Sequence, residues 1–482
     1  MSITEGLTNF REESDSIGTK QVPIDAYYGV QSLRAAENFN ITGTRMHKEF
    51  INSLAIVKKA SAITNREVGL LTKKIETAIV QACDEITIGN LHEEFIVDPI
   101  QGGAGTSANM NVNEVVANRA NEIMGGEKGA YNFVHPNDHV NMGQSTNDVI
   151  PTAGKITILK LLPKIIRELE NLHSAFLEKS IEFNDVIKMG RTQMQDAVPI
   201  RLGQEFKAYS SVIKRDISRI IRVRDELMVV NMGGTAIGTG VNADDEYFDR
   251  VIPNLQLVSG LDLRQAEDLI DSTQNLDCFV SVSSVIKTCA VNLSKISNDL
   301  RLMSSGPRTG FGEINLPSKQ NGSSIMPGKI NPVIPEVMSQ VAFKVIGNDV
   351  AVTMAAEAGQ LELNAFEPLI FFNLFQSIEM LSNGINTFTE NCIKGITANR
   401  ERCRDLVENS IGIVTAICPH VGYKKAAEIA KIAINTGEPI RNIILKNNIL
   451  NEAELNDVLD TINMTEPGIS AKYLINHKKI DL

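Results

Sequence analysis

Two hydroxyls, a cation and an amide sit together in Gly322-Ser323-Ser324-Ile325-Met326-Pro327-Gly328-Lys329-Ile330-Asn331-Pro332. Its two prolines and two glycines bar this segment from any regular helix or central strand. These are the groups needed to hold a carboxylate beside a reactive centre. Serine is a weak base in water. Backbone N–H groups and a nearby helix N-terminus, such as one starting over 332–336, would stabilise its alkoxide. On residue types alone, a surface Gly-Ser turn with a solvated lysine competes with that reading. A Schiff-base role for Lys329 has no cofactor pocket in the sequence to support it.

Other polar segments carry weaker signals. Gly103-Ala104-Gly105-Thr106-Ser107-Ala108 fits G-x-G-x-x-A, with Glu122 or Glu127 about 20 residues on. A dinucleotide site needs a strand before this pattern and alternating strands and helices after it, whereas a long helical region follows here. A backbone N–H cradle with Thr106 facing a carboxylate fits better, and a ligand-free helix start is its alternative. His135 and His139 have the spacing of zinc ligands on a helix, but Pro136 lies between them and no cysteine or third histidine is near. No metal site is expected there. Ser145-Thr146-Asn147 can cap a helix beginning near Pro151. Lys214, Arg215, Arg219, Arg222 and Arg224 read as a solvated or subunit-facing charged stripe.

Long helices must position these loops. Leu162, Ile165, Ile166, Leu169, Leu172 and Phe176 recur every three or four residues within 153–180, and Phe206, Tyr209, Val212, Ile213, Ile217, Ile220 and Leu227 follow at the same spacing. Further stretches cover about 266–302, 335–361 and 367–392. Each would be about 25–40 residues, or roughly 40–60 Å. Helices this long need packing along their length, so the expected fold is all-α, mainly helical, with a central five-helix bundle. Expected domains are 1–145, carrying the Thr106 and His135–Asn147 loops; 146–398, the bundle; and 399–482, where short segments replace long helices.

The chain of 482 residues is 43% hydrophobic and 22% charged, which is ordinary globular usage. Forty-seven Lys+Arg against 58 Asp+Glu give a net charge of −11. That argues against nucleic acid as a partner and means that an anionic substrate needs a locally cationic or N–H-rich site. No uncharged apolar run reaches the roughly 18 residues of a membrane span. The polar, acidic start lacks a secretory pattern. Six scattered cysteines without a C-x-x-C pair read as reduced thiols, so a cytoplasmic location is expected.

The segment GSSIMPGKINP resembles the signature loop of the fumarase/aspartase superfamily. GGAGTSANMNVNEVVANRA (102–120), HPNDHVNMGQSTND (135–148), GRTQMQDAVP (190–199), EAGQLELNAFEPLIFFN (357–373) and NSIGIVTAICPHVGYKKAAEIA (409–430) resemble its other segments in order and spacing. Within the superfamily, INPVIPEV, MAAEAGQLELN and EPLIFFN are more similar to the aspartase branch than to fumarases. Gln193 stands where fumarases and many aspartases have histidine, so a His–carboxylate pair with Glu336 cannot form.

The resemblance implies a carbon–nitrogen lyase that reversibly eliminates ammonia from L-aspartate to give fumarate. A fumarate hydratase on the same scaffold is the alternative. Ser323 would be the base. Thr106, Ser145, Thr146 and Ser324 would hold the β-carboxylate, and Lys329, Asn331 and Thr192 the α-carboxylate. Asn147 and Gln193 would lie near the amino group. The resemblance implies no required organic cofactor, leaves open Mg²⁺ activation as in some relatives, and implies a homotetramer whose sites draw on three chains. The 135–139 segment resembles a secondary anion-binding region rather than the catalytic site.

Overall fold

The five periodic stretches are helices: Thr146–Glu182, Leu202–Leu227, Asp277–Met303, Val333–Glu357 and Glu367–Asn391, of 37, 26, 27, 25 and 25 residues. The computed structural model describes residues 9–475. In the first long helix Leu162, Ile165, Leu169, Leu172 and Phe176 are fully buried, as their spacing requires. That helix begins at Thr146 rather than near Pro151, and both Pro151 and Pro163 lie within it.

The third stretch is shorter than expected. A separate helix, Leu269–Gln274, ends at Asn275, whose ψ of 133° is extended. The Asn275 side chain donates to Asp271 Oδ1 at 2.6 Å. Such local side-chain bonding competes with helix continuation, and the long helix starts afresh at Asp277.

Strands are confined to two-residue and six- or seven-residue pairings, four two-stranded sheets among the described residues. One matters for the site: Ile187–Thr192 pairs antiparallel with Gln195–Arg201.

Two compact units divide the chain. The first takes the described residues up to Ile166, with Ser218–Ala290 and Phe343–Leu381. Its helices meet at an aromatic cluster in which Phe371 stacks on Phe375 at 5.6 Å and meets Phe279 edge-on at 5.1 Å. A Cβ on Gly154 would lie 2.1 Å from the Phe371 ring, so only glycine allows this approach. Asp349 fastens another contact, accepting from Ser283 Oγ at 2.7 Å and Lys287 Nζ at 2.6 Å.

The second unit takes Arg167–Ile217, Val291–Ala342 and the described residues from Ser382 onward. Phe206 packs on Phe183 and Phe176 at 5.3 and 6.1 Å. Both Asp216 carboxylate oxygens accept from Asn292 Nδ2. Beyond Arg400 the chain breaks into short helices that bury Ile417, Ile429, Ile443, Ile444, Leu455 and Val458 around one core.

Candidate active site

In the first unit, 103–105 turns through three consecutive positive φ values, +85° at Gly103, +56° at Ala104 and +89° at Gly105. Gly105 then caps the helix Thr106–Ile123. The element immediately upstream of this turn is the 3₁₀ turn His92–Glu94 rather than a strand, so the dinucleotide pattern has no fold behind it. Thr106 is exposed at the helix N-terminus, where oriented N–H groups favour an anion. Its Oγ1 donates to Gly103 O at 2.7 Å.

The Ser145-Thr146-Asn147 turn adjoins this cradle. A Cβ on Gly105 would sit 3.0 Å from Ile150, and Asn109 Nδ2 donates to Thr146 Oγ1 at 3.2 Å. Ser145 Oγ accepts from the Asn147 N–H at 3.2 Å. The structure therefore brings Thr106, Ser145, Thr146 and Asn147 together.

His135 and His139 spend their Nδ1 atoms on their own loop. His135 Nδ1 accepts from the Asn137 and Asp138 N–H groups, and His139 Nδ1 accepts from the His135 N–H. Among the described residues no group of three or more His, Cys, Asp and Glu is placed to hold a metal ion.

Thr192 and Gln193 belong to the second unit, at the exposed tip of the 187–201 hairpin. Thr192 pairs with Gln195, and the two tip residues Gln193 and Met194 have φ of +53° and +64°. A two-residue tip with both φ positive ordinarily selects Asn-Gly. Here two long side chains hold the left-handed region, a strained arrangement of the kind that persists where function retains it. A bulge bends the stem at Gly190, where a Cβ would meet Val198 O at 2.6 Å. Buried Glu313 anchors the stem, its Oε1 accepting from Arg191 Nη1 at 2.7 Å, while Arg191 also stacks over Phe311 at 4.0 Å.

The Ser323 loop, also in the second unit, has no regular structure until the helix begins at Val333. Ser323 Oγ accepts from two backbone N–H groups, Met326 at 2.9 Å and Ile325 at 3.3 Å. These two donors would lower the cost of an alkoxide. Asn331 Nδ2 donates to Gly322 O and closes the loop on itself. Gly322 is indispensable, since a Cβ there would lie 1.9 Å from Lys329 O. Ser324 and Lys329 are exposed. Glu336 lies in the first turn of the following helix. No described hydrogen bond joins the hairpin tip to this loop.

Sequence reasoning missed Lys58 and Asp148. Lys58, fully buried, donates to Asn141 Oδ1 at 2.8 Å and Gln144 Oε1 at 3.0 Å. Asn109 Nδ2 bridges that same Asn141 oxygen to Thr146. Asp148, equally buried, accepts from the Ser145 N–H with one oxygen and from the Gly233 and Thr235 N–H groups with the other. Burial pulls the Lys58 ammonium down to about 7, against the opposing Asp148 charge. It pushes Asp148 up to about 6, against its N–H donors and Lys58.

A pH dependence follows. The folded pKa of Lys58 lies below its unfolded value, so its contribution to stability is complete above the unfolded pKa and is lost as pH falls towards the folded one. Above about pH 7 Asp148 is mostly ionised in both states. The unfolding free energy of the unmodified protein minus that of Lys58→Met should therefore rise by about 2 kcal/mol between about pH 7 and 9. Denaturant melts at the two pH values measure it; a constant difference would show that the fold leaves Lys58 unperturbed.

Residues 18–347 match the Lyase family and residues 413–466 match the family described as Fumarase C C-terminus. An aspartate ammonia-lyase from Bacillus subtilis (strain 168) is 57% identical over 98% of this chain and 100% of its own length. The solved fumarate lyase:delta crystallin from Brucella melitensis, bound to cobalt, superposes with a TM-score of 0.93 at 49% identity, covering 95% of this chain and 100% of that one. A class II fumarase from Schistosoma mansoni shares the fold at a TM-score of 0.91 but only 34% identity, over 95% and 99% of the two chains. The chain belongs to the fumarase/aspartase superfamily, on its aspartate ammonia-lyase branch.

Proposed function

We infer that this chain catalyses the reversible elimination of ammonia from L-aspartate to give fumarate. The observation that carries the chemistry is Ser323 Oγ accepting two backbone N–H groups within a closed loop. The proton to be removed lies on the carbon bearing the β-carboxylate. Ser323, as its alkoxide, takes that proton, and the C–H electron pair moves into the β-carboxylate to give an aci-carboxylate dianion. Its collapse forms the carbon–carbon double bond and breaks the C–N bond, and the pair from that bond leaves with ammonia. The substrate's own carboxylate is the electron sink, so no organic cofactor is needed.

The barrier is chiefly the second charge on that carboxylate, and each ~1.4 kcal/mol of differential stabilisation is worth tenfold in rate. Thr106, Ser145, Thr146 and Ser324 supply hydroxyls and helix-terminal N–H groups to it. Lys329, Asn331 and Thr192 take the α-carboxylate, and Asn147 and Gln193 face the amino group. Thr106 stands at a helix N-terminus and Lys329 is exposed, which suits both to anionic groups.

The working enzyme is a homotetramer with shared sites. In support, Phe343, Val350 and Met354 are each 60–61% exposed at helical spacing on Val333–Glu357, and Gly347 between them faces open space. An uncovered apolar stripe of this kind marks an interface. No helix among the described residues is long and apolar enough to cross a membrane, and a cytoplasmic enzyme acting on small metabolites is the reading it supports.

Fumarate release from L-aspartate and from L-malate, followed by ultraviolet absorbance, tests the assignment. The rate on aspartate should exceed that on malate by about 100-fold or more, since a site built for an ammonium group rejects a substrate lacking it. Preference for malate would make the chain a hydratase.

A further inference from the structure

Segment 231–236 holds Asn147 from two sides. In a regular helix the Asn147 carbonyl would accept from the N–H of residue 151, but residue 151 is proline and has none. Asn231, 1% exposed, takes the orphaned carbonyl, its Nδ2 donating to Asn147 O at 3.0 Å. At the other end of the segment, Ala236 O accepts from Asn147 Nδ2 at 2.7 Å. Between these contacts the Gly233 and Thr235 N–H groups donate to Asp148 Oδ2 at 3.2 and 3.0 Å.

This path is strained. Thr235, a β-branched residue 5% exposed, has φ +54°, and its Oγ1 is buried without a partner. Such geometry survives only where its surroundings over-determine it, and it concentrates at ligand sites. Gly238 completes the turn where a Cβ would lie 2.4 Å from the Ile270 nitrogen.

The consequence for Asn147 is chemical. A carbonyl can only accept, so the Asn147 nitrogen must be the atom facing Ala236. The amide oxygen is left over, and no described hydrogen bond reaches it. An oxygen acceptor suits an ammonium group and repels a carboxylate. We propose that Asn231 is a positioning residue that acts through the orphaned Asn147 carbonyl, fixing Asn147 with its amide oxygen towards the substrate amino group and so setting the affinity for ammonia. This rests on the ammonia-lyase reading.

The test uses the amination direction, where ammonium and fumarate are separate substrates of the intact enzyme. Asn231→Asp replaces the donor to Asn147 with an acceptor, and Asn231→Ser removes it without burying a charge. Both should raise the KM for ammonium about tenfold or more, the scale of a charge-assisted hydrogen bond. The KM for fumarate and the inhibition constant of succinate, which lacks the amine, should stay within about twofold. Thr273→Val is the control. It removes the other partner of Asn231, at 3.0 Å, while leaving the donation to Asn147, and should not move the ammonium KM.

Equal rises for ammonium and fumarate, a rise in Thr273→Val matching that in the Asn231 variants, or an unchanged ammonium KM in an active Asn231 variant would each overturn the proposal. Absence of ammonia-dependent activity in the unmodified protein would instead remove the ammonia-lyase reading itself, and the proposal with it.

Discussion

Ser323→Ala should lower kcat for L-aspartate by about 100-fold to 10,000-fold or more, the usual cost of losing a general base. L-Aspartate should still bind, because the assigned contacts to its two carboxylates and amino group are spread over nine other residues. The loss should be chemical rather than conformational. The Ser323 loop is closed independently by Asn331 donating to Gly322 O, so the methyl side chain removes the proton acceptor without opening the loop. What alanine also removes is the acceptor for the Ile325 and Met326 N–H groups. These then face solvent in an exposed stretch at modest cost. Steady-state kinetics, equilibrium binding of L-aspartate and far-ultraviolet circular dichroism separate the cases. A variant with native helicity that keeps more than about a tenth of the activity would take Ser323 out of the mechanism.

The sequence made the long helices legible because burial imposes a period, and Leu162, Ile165, Leu169, Leu172 and Phe176 carry it without interruption. Pro151 was a false boundary. Proline is read as a first-turn residue, but here it stands inside a helix already begun at Thr146, and a side chain 84 positions away satisfies the carbonyl it orphans. The break at Asn275 was equally hidden, since apolar periodicity does not register a side chain competing with the backbone. Polar, Gly- and Pro-rich loops could be found, because regular structure excludes those residues. Their internal geometry could not. Nothing in Gln193-Met194 signals two left-handed residues, since neither is Gly or Asn. Lys58 and Asp148 look like any surface charges in a sequence. Only the fold shows them buried beneath the turn that carries Thr146.

Mixing two inactive variants should create activity. Asn147 stands in the first turn of the 37-residue Thr146–Glu182 helix, and Thr192 follows ten residues after its end. That helix spans about 55 Å at 1.5 Å per residue. In the homotetramer proposed above, antiparallel copies would let different chains supply these positions to a single aspartate. The uncovered stripe at Phe343, Val350 and Met354 provides a surface for such copies. If Asn147 and Ser323 reach each site from different chains, homotetramers of Asn147→Ala and of Ser323→Ala, each nearly inactive, can be unfolded, mixed equally and reassembled. Each supplying chain then has an even chance of being intact at the position it supplies, so about one site in four regains both residues. The recovered rate should approach a quarter of the unmodified rate, while each variant refolded alone stays inactive. Varying the mixing ratio sharpens the test, because activity should follow the product of the two fractions and peak at equal parts. If one chain supplies both residues, every site keeps a defect, and a fully reassembled mixture that stays inactive at all ratios would exclude sharing between these positions.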